Sequence, residues 1–239
     1  MVFAKAPRPG EAKTRLIPRL GAQGAAALHA RLIKHTLATA SVAARDALEL
    51  HGHPAEDEFL RFCAARYNAS LVPQQGQDLG ERMYHGFELA LSRGGCAFAV
   101  LIGTDCPALT PRHIRSAFQA LQNGYDAVLA PAEDGGYVLL GVARADVRLF
   151  EDISWGTDRV LELTRTRLHL LGWRWLELET LWDVDRVADW DRLSASGLLA
   201  PNACTAPVNS QLDMREAADR NPGSFSGSDY LAVRGWNRH

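Results

Sequence analysis

The segment Cys96–Ile102, Cys-Ala-Phe-Ala-Val-Leu-Ile, constrains this chain most. Seven residues without a charge cannot offer one face to water. They read as a strand buried on both sides, as in parallel sheets covered by helices. Gly103-Thr104-Asp105 follows, and Thr110-Pro111 then marks a helix start, with Thr as N-cap and Pro as the first helical residue. Asp105 is thereby predicted at the carboxyl end of a buried strand, where open α/β sheets bind their ligands. A carboxylate there can hold a hard divalent cation against a phosphate. A loop-capping acid would occupy the same position.

Strand and helix signals alternate along the rest of the chain. Strands are predicted at 1–4, 47–50, 71–72, 127–130, 137–142 and 175–178. Helices are predicted at 23–44, 56–67, 79–91, 111–122, 158–171 and 187–193. This rhythm predicts an α/β fold, a mostly parallel sheet with helices on both faces. The 239 residues suffice for one such domain, assigned to 1–199. Residues 200–239 are rich in Asn, Ser, Gly, Pro and Asp and lack periodicity, so they are predicted to be a disordered or loosely attached tail. The first strand starts at Met1 and is short for a central strand, which leads us to expect that the natural protein begins upstream.

A formal net charge of −2 argues against a general nucleic-acid binder. Cys63, Cys96, Cys106 and Cys204 lack metal-type spacing and fit reduced thiols. The eight histidines form no zinc-type cluster in sequence. No apolar run approaches membrane-spanning length, and the first residues lack a signal-peptide pattern. The expectation is a cytoplasmic protein without a membrane or nucleic-acid partner. Nothing in the sequence specifies an oligomeric state.

Several loops carry candidate chemistry. Lys5, Arg8, Lys13 and Arg15 converge on a Pro/Gly loop after the first strand, where loop amides can join them around an anion, here a nucleotide phosphate. A solvated basic loop would have the same composition. Gly76-Gln-Asp78-Leu-Gly80-Glu-Arg82-Met83 leads into a helix with Asp78 as N-cap, and reads as a turn touching a base or ribose, or as an ordinary cap. Glu133-Asp134-Gly135-Gly136-Tyr137 lies between two strand signals, suited to a hairpin turn or to close approach of a substrate. In Trp155-Gly156-Thr157-Asp158, Thr157 is predicted to cap the next helix. Trp182-Asp183-Val184-Asp185 places a second acid after a strand, where it could clamp one cation together with Asp105 or act only as an N-cap.

Taken together and in order, these motifs resemble the DUF2064 family. They are Lys-x-Pro-x-Pro-Gly-x-x-Lys-Thr-Arg-Leu, Asp-Leu-Gly-Glu-Arg-Met, Ile-Gly-Thr-Asp-Cys-Pro, Ala-Glu-Asp-Gly-Gly-Tyr, Trp-Gly-Thr-Asp and Asp-Val-Asp. That family is also called the radical-SAM/selenodomain-associated transferase 1 family, and belongs to the nucleotide-diphospho-sugar transferase superfamily with a GT-A fold. The resemblance spans roughly residues 2–193. Ala-Lys13-Thr14-Arg15-Leu16 is also similar to the phospholactate guanylyltransferases of the same fold. One departure is Arg186-Val187-Ala188, where the family pattern favours Thr-Pro-Glu.

The resemblance implies a metal-dependent transferase that takes a nucleoside triphosphate or nucleotide-sugar donor and a small-molecule acceptor. Lys5, Lys13 and Arg15 would bind phosphates, with Lys13, Arg15 and Asp105 in the catalytic role. Gly80 and Arg82 would lie near the base. Asp105 and Asp185 would hold Mg²⁺ or Mn²⁺. Asp134, Gly135, Gly136 and Tyr137 would face the acceptor. A non-catalytic nucleotide-binding module with a degenerate site is the alternative expectation.

Overall fold

A computed structural model describes residues 1–44, 47–93 and 95–199. The predicted tail at 200–239, and with it Cys204, lies outside the described residues. In chain order the elements are β1 (Val2–Lys5), α1 (Ile17–Ala43), β2 (Glu49–His53), α2 (Glu58–Arg66), β3 (Ser70–Pro73), α3 (Leu79–Ser92) and β4 (Ala99–Ile102). They continue with α4 (Pro111–Gln122), β5 (Ala127–Pro131), β6 (Tyr137–Val142), α5 (Val160–Leu170), β7 (Trp175–Glu177) and α6 (Val187–Ser196).

The seven strands form one sheet in the order β3-β2-β1-β4-β6-β5-β7. The pairs β1–β2, β2–β3, β1–β4 and β5–β7 are parallel. Strand β6 runs antiparallel to both β4 and β5. The short connection between β5 and β6 permits this reversal, since a parallel return needs a long crossover.

The apolar run of β4 is explained by burial on both faces. Val100 and Ile102 join one core with Ile33 and Leu37 of α1, Leu60 and Cys63 of α2, and Ile114, Ala117 and Leu121 of α4. Ala99 and Leu101 join the opposite core with Met83 and Phe87 of α3 and Leu161 and Leu168 of α5. Strands β1 and β5 divide their residues in the same way, Val2 and Ala4 against Phe3, Val128 and Ala130 against Ala127 and Leu129. A third cluster at the carboxyl ends of the strands joins Leu16, Leu28, Leu32, Trp182, Val184 and Leu193.

Helix starts follow local chemistry where the sequence signals it. Asp78 caps α3 by accepting from the Glu81 amide at 2.9 Å. Thr110 and Pro111 open α4 as predicted, and the Thr110 amide donates to Nδ1 of His113 at 3.0 Å. Helix α1 starts earlier than the periodicity predicts, because a short helical turn from Ile17 precedes a break at the non-helical Gly21 (φ 69°, ψ 166°), beyond which the main helix runs. Thr157 does not cap α5. The helix begins at Val160 after Arg159, and the Thr157 hydroxyl donates to the Ser154 carbonyl at 2.7 Å. Cys63 and Cys106 are buried free thiols and Cys96 is exposed. Among the described residues, no helix is long and apolar enough to cross a membrane.

Candidate active site

Three loops meet at the carboxyl ends of β1, β4 and β7. The loop after β1 turns back at Lys13, which adopts a left-handed conformation (φ 50°, ψ 44°) before the short helical turn Thr14–Leu16. Such a backbone is sparsely populated by residues other than glycine and is kept where surrounding contacts fix it. The contacts here are carboxylates. Lys13 Nζ donates to Asp185 Oδ1 at 2.7 Å and pairs with Asp105 Oδ1 at 2.8 Å. The Lys13 side chain is only 4% exposed, whereas Asp105 and Asp185 are 42% and 36% exposed. Burial alone would lower the Lys13 pKa, but Asp105 and Asp185 outweigh it and raise the value above that of an ordinary lysine. Burial likewise opposes ionisation of Asp105, and Lys13 and His29 reverse that, holding its carboxyl below the usual range.

The chain after β7 supplies Asp185 by simple alternation. Beyond β7 the chain continues beside β5, with the amides of Leu178 and Leu181 donating to the Leu129 and Pro131 carbonyls. Val184 turns into the third core and is fully buried. Its neighbours Asp183 and Asp185 therefore emerge together on the other side. The Val184 amide donates to the Asp105 carbonyl at 2.9 Å, which ties this segment to the loop after β4.

Asp183 and Asp185 meet Asp134 of the β5–β6 loop. Each of the three offers a carboxylate oxygen, and these atoms lie within 4.8 Å of one another. Burial, then the charges of Asp134, Asp185 and Asp105, push the Asp183 carboxyl up to about 7. The site thus concentrates more negative charge than Lys13 compensates. Its donors are carboxylates, the hard oxygen ligands that Mg²⁺ and Mn²⁺ prefer. Among the described residues, His29 Nδ1 is buried without a hydrogen-bond partner, and the buried Asp105 Oδ1 beside it is met by the Lys13 ammonium at 2.8 Å. On both grounds the residues present fit a divalent cation.

A cleft of about 870 Å³ opens beside this cluster. Asp134, Asp183, Asp185 and Arg15 line its charged side, and Leu79, Met83, Tyr137 and Trp155 line its apolar side. A smaller depression on the other side of Asp185 is formed by Lys5, Lys13, Thr14, Arg15, His29 and Asp105. Arg15 borders both, is 63% exposed, and lies 3.7 Å from Asp185 Oδ2.

The structure brings Lys5, Lys13, Arg15, Asp105 and Asp185 to one rim, with Asp134, Gly136 and Tyr137 facing the adjoining cleft. Lys5 Nζ, exposed, donates to the Glu11 carbonyl at 3.0 Å. Gly80 and Arg82 have local duties. Gly80 is buried where a Cβ would lie 2.7 Å from the Trp155 indole nitrogen, so its hydrogen lets that ring form the cleft wall. Arg82 Nε donates to the Gly76 carbonyl at 3.1 Å and lines neither depression. Gly135 (φ 90°) lies against the backbone of Asp158, where a Cβ would fall 2.0 Å from its carbonyl oxygen. Gly136 donates its amide to Asp134 Oδ1 at 2.9 Å, which orients that carboxylate. The Tyr137 hydroxyl contacts Met83 Sδ at 3.9 Å, and burial raises its pKa, keeping the phenol protonated.

Two residues escape the motif reading. Asp183 carries weight equal to Asp185 in the acid cluster, and its spacing of two from Asp185 was the available signal. His29 lies on the buried face of α1, next to Leu28 and Leu32 in an apolar pattern that gives no hint of Asp105. Its Nε2–H donates to the Lys5 carbonyl at 3.0 Å, and its Nδ1 lies 3.8 Å from Asp105 Oδ1.

The comparisons with known proteins bear on the family and the fold. The profile of the family described as "Uncharacterized protein conserved in bacteria (DUF2064)" matches residues 30–157. No curated protein matches the sequence. Among solved structures, a candidate nucleotide-diphospho-sugar transferase from Desulfovibrio desulfuricans G20 aligns with a TM-score of 0.71 and 29% identity, over 91% of this chain and 94% of that one. CMP:2-keto-3-deoxy-manno-octonic acid synthetase, solved with CTP, aligns at 0.53 and 11% identity over 82% and 95% of the two chains. Rv0371c from Mycobacterium tuberculosis H37Rv, solved with manganese, aligns at 0.52 and 20% identity over 82% and 97%. The last two share the fold alone. With its profile covering more than half of the sequence and the sheet of a GT-A protein beneath it, the chain belongs to the DUF2064 family, within the nucleotide-diphospho-sugar transferase superfamily.

Proposed function

We propose that this protein is a metal-dependent transferase that moves a nucleotidyl or glycosyl group from a nucleoside triphosphate or nucleotide-sugar to a small acceptor. The observation that carries this reading is the meeting of Lys13, Asp105 and Asp185 on one rim, with Arg15 exposed beside them and a large cleft adjoining. The relatives with this fold include a protein solved with CTP and one solved with manganese, which supports the same class of ligand.

Asp185 with Asp105 would hold Mg²⁺ or Mn²⁺, and Asp134 and Asp183 would complete the acidic side. When bound, such an ion supplies charge stabilisation to phosphate oxygens. The chain itself contributes positioning and electrostatics. Arg15 presents a planar fork of donors to a phosphate. Lys5 and Lys13 add positive charge at the end of β1. The cleft walled by Leu79, Met83, Tyr137 and Trp155 would receive the acceptor, with Asp134 and Gly136 at its polar end. In nucleotidyl transfer an acceptor oxygen attacks the α-phosphorus and pyrophosphate leaves. In glycosyl transfer an acceptor attacks the sugar carbon and a nucleoside diphosphate leaves. The reduced cysteines fit a cytoplasmic setting for either.

A thermal-shift screen of nucleotides and nucleotide-sugars with Mg²⁺ and Mn²⁺ tests the reading, because a specific ligand stabilises the folded state in proportion to its occupancy. A hit that requires the metal, followed by turnover with an acceptor, is the expected result. Nucleotide binding with no turnover under any metal would favour the non-catalytic alternative.

A further inference from the structure

We infer that Lys13 is a built-in counter-cation that occupies the Asp105–Asp185 seat until a divalent cation displaces it, so that metal and nucleotide bind cooperatively. This inference rests on the metal-dependent reading above and adds a mechanism for how its site fills.

The seat has the character of a cation site independently of the acids. His29 is 7% exposed, and its Nε2–H is committed to the Lys5 carbonyl. The ring's other nitrogen, Nδ1, is therefore an acceptor in the neutral tautomer, lies 3.8 Å from Asp105 Oδ1, and has no hydrogen-bond partner. A buried acceptor beside a buried carboxylate oxygen calls for something positive between or beside them. Lys13 meets that demand. Its ammonium reaches both acids, and its side chain is almost entirely enclosed.

The enclosure has a consequence for phosphate binding. An ammonium pointing inward to two carboxylates is not offered to solvent, whereas Arg15, two residues on, is. Lys13 can serve a phosphate only after leaving the acids. A divalent cation arriving alone would strand the ammonium without a partner. A cation arriving with a nucleotide brings phosphate oxygens that take it up. Each ligand then favours the other, and by linkage the coupling is reciprocal. The left-handed backbone at Lys13 marks the residue at which the loop can rearrange, since that conformation is held by the side-chain contacts it would give up.

The exchange is tested with the intact protein and Mn²⁺ alone, following free Mn²⁺ by electron paramagnetic resonance. If Lys13 leaves the seat in a tenth or less of wild-type molecules, Lys13→Met should bind Mn²⁺ about tenfold more tightly or better. A folded Lys13→Met protein that binds Mn²⁺ no more tightly than wild type overturns the inference.

A second measurement needs no variant. Lys5, Lys13 and Lys34 are the lysines of this chain, so acetic anhydride labelling read by peptide mass spectrometry resolves each. Lys13 should be protected without metal and become labelled as Mn²⁺ is added, while Lys34 stays constant. Lys13 that stays protected at Mn²⁺ concentrations that fill the site overturns the exchange. Absence of Mn²⁺ uptake by wild type and variant, with and without CTP, would remove the metal-dependent reading and the exchange together. Uptake by wild type without a gain in Lys13→Met would remove the exchange alone.

Discussion

The amide of Val184 donates to the carbonyl of Asp105 at 2.9 Å, and this bond joins the two loops that carry the paired acids. It is a main-chain contact, so it survives replacement of either carboxylate. The acid side chains can therefore be removed without separating the loops.

Asp105→Ala should leave the circular dichroism spectrum native and abolish metal-dependent stabilisation by nucleotide. Lys13 keeps its second partner, Asp185, in this variant. A variant that still binds Mg²⁺-nucleotide as wild type does would reduce Asp105 to a structural acid.

Arg15→Ala should weaken nucleotide binding by about 1–3 kcal/mol, the range for a charge-assisted hydrogen bond. Arg15→Lys should recover only part of this, because an ammonium cannot reproduce the two-point fork. Melting without ligand should hardly move, since Arg15 is mostly exposed and its 3.7 Å approach to Asp185 is a solvent-screened pair. Calorimetric titration of the three proteins with one nucleotide checks both statements.

Gly135 and Gly156 separate backbone strain from steric collision. Both have positive φ, 90° and 78°, but only at Gly135 does a Cβ meet an atom, the Asp158 carbonyl oxygen at 2.0 Å. Gly156→Ala should cost about 1–3 kcal/mol from its backbone conformation alone. Gly135→Ala should cost clearly more, because the Asp158 backbone ahead of α5 must also give way. Urea denaturation of the two variants gives the comparison directly.

Asp183 makes metal-free stability depend on pH. Its folded-state carboxyl is pushed to about 7 by burial and by the neighbouring acids, well above the ordinary aspartate value of 3.8. The folded state therefore binds a proton that the unfolded chain has released. The resulting stabilisation is complete below the unfolded value and is lost as pH rises through about 7. Asp183→Asn removes this dependence, so its melting temperature relative to wild type should rise between pH 5 and pH 8 without metal. An unchanged gap across that range would show that the carboxyl ionises normally.

The sequence by itself determined the element order and most of the rim. Strand and helix bounds at 111–122 and 137–142 coincide with α4 and β6, because hydrophobic periodicity, Pro and Thr act over a few residues and need no distant partner. The apolar run ending in Gly-Thr-Asp placed Asp105 at a strand end for the same local reason. The short loop before β6 allowed its reversal to be read as a hairpin, but the insertion of β6 between β4 and β5 was not legible, since the order within a sheet is set by which strand the chain finds to pair with. Nor was the cap of α5. Thr157 has the right chemistry, and its hydroxyl oxygen accepts from the Arg159 amide at 3.4 Å, but α5 starts at Val160, two residues beyond the position that Thr157 could cap. Tertiary structure alone decided how the charges are used. Lys13 is 92 residues from Asp105 and 172 from Asp185, and only folding turns it from a loop cation into an enclosed ion-pair partner. His29 is one more buried residue of an apolar helix face until the loop after β4 arrives beside it. Electrostatic roles depend on distance and burial, and both are properties of the folded chain.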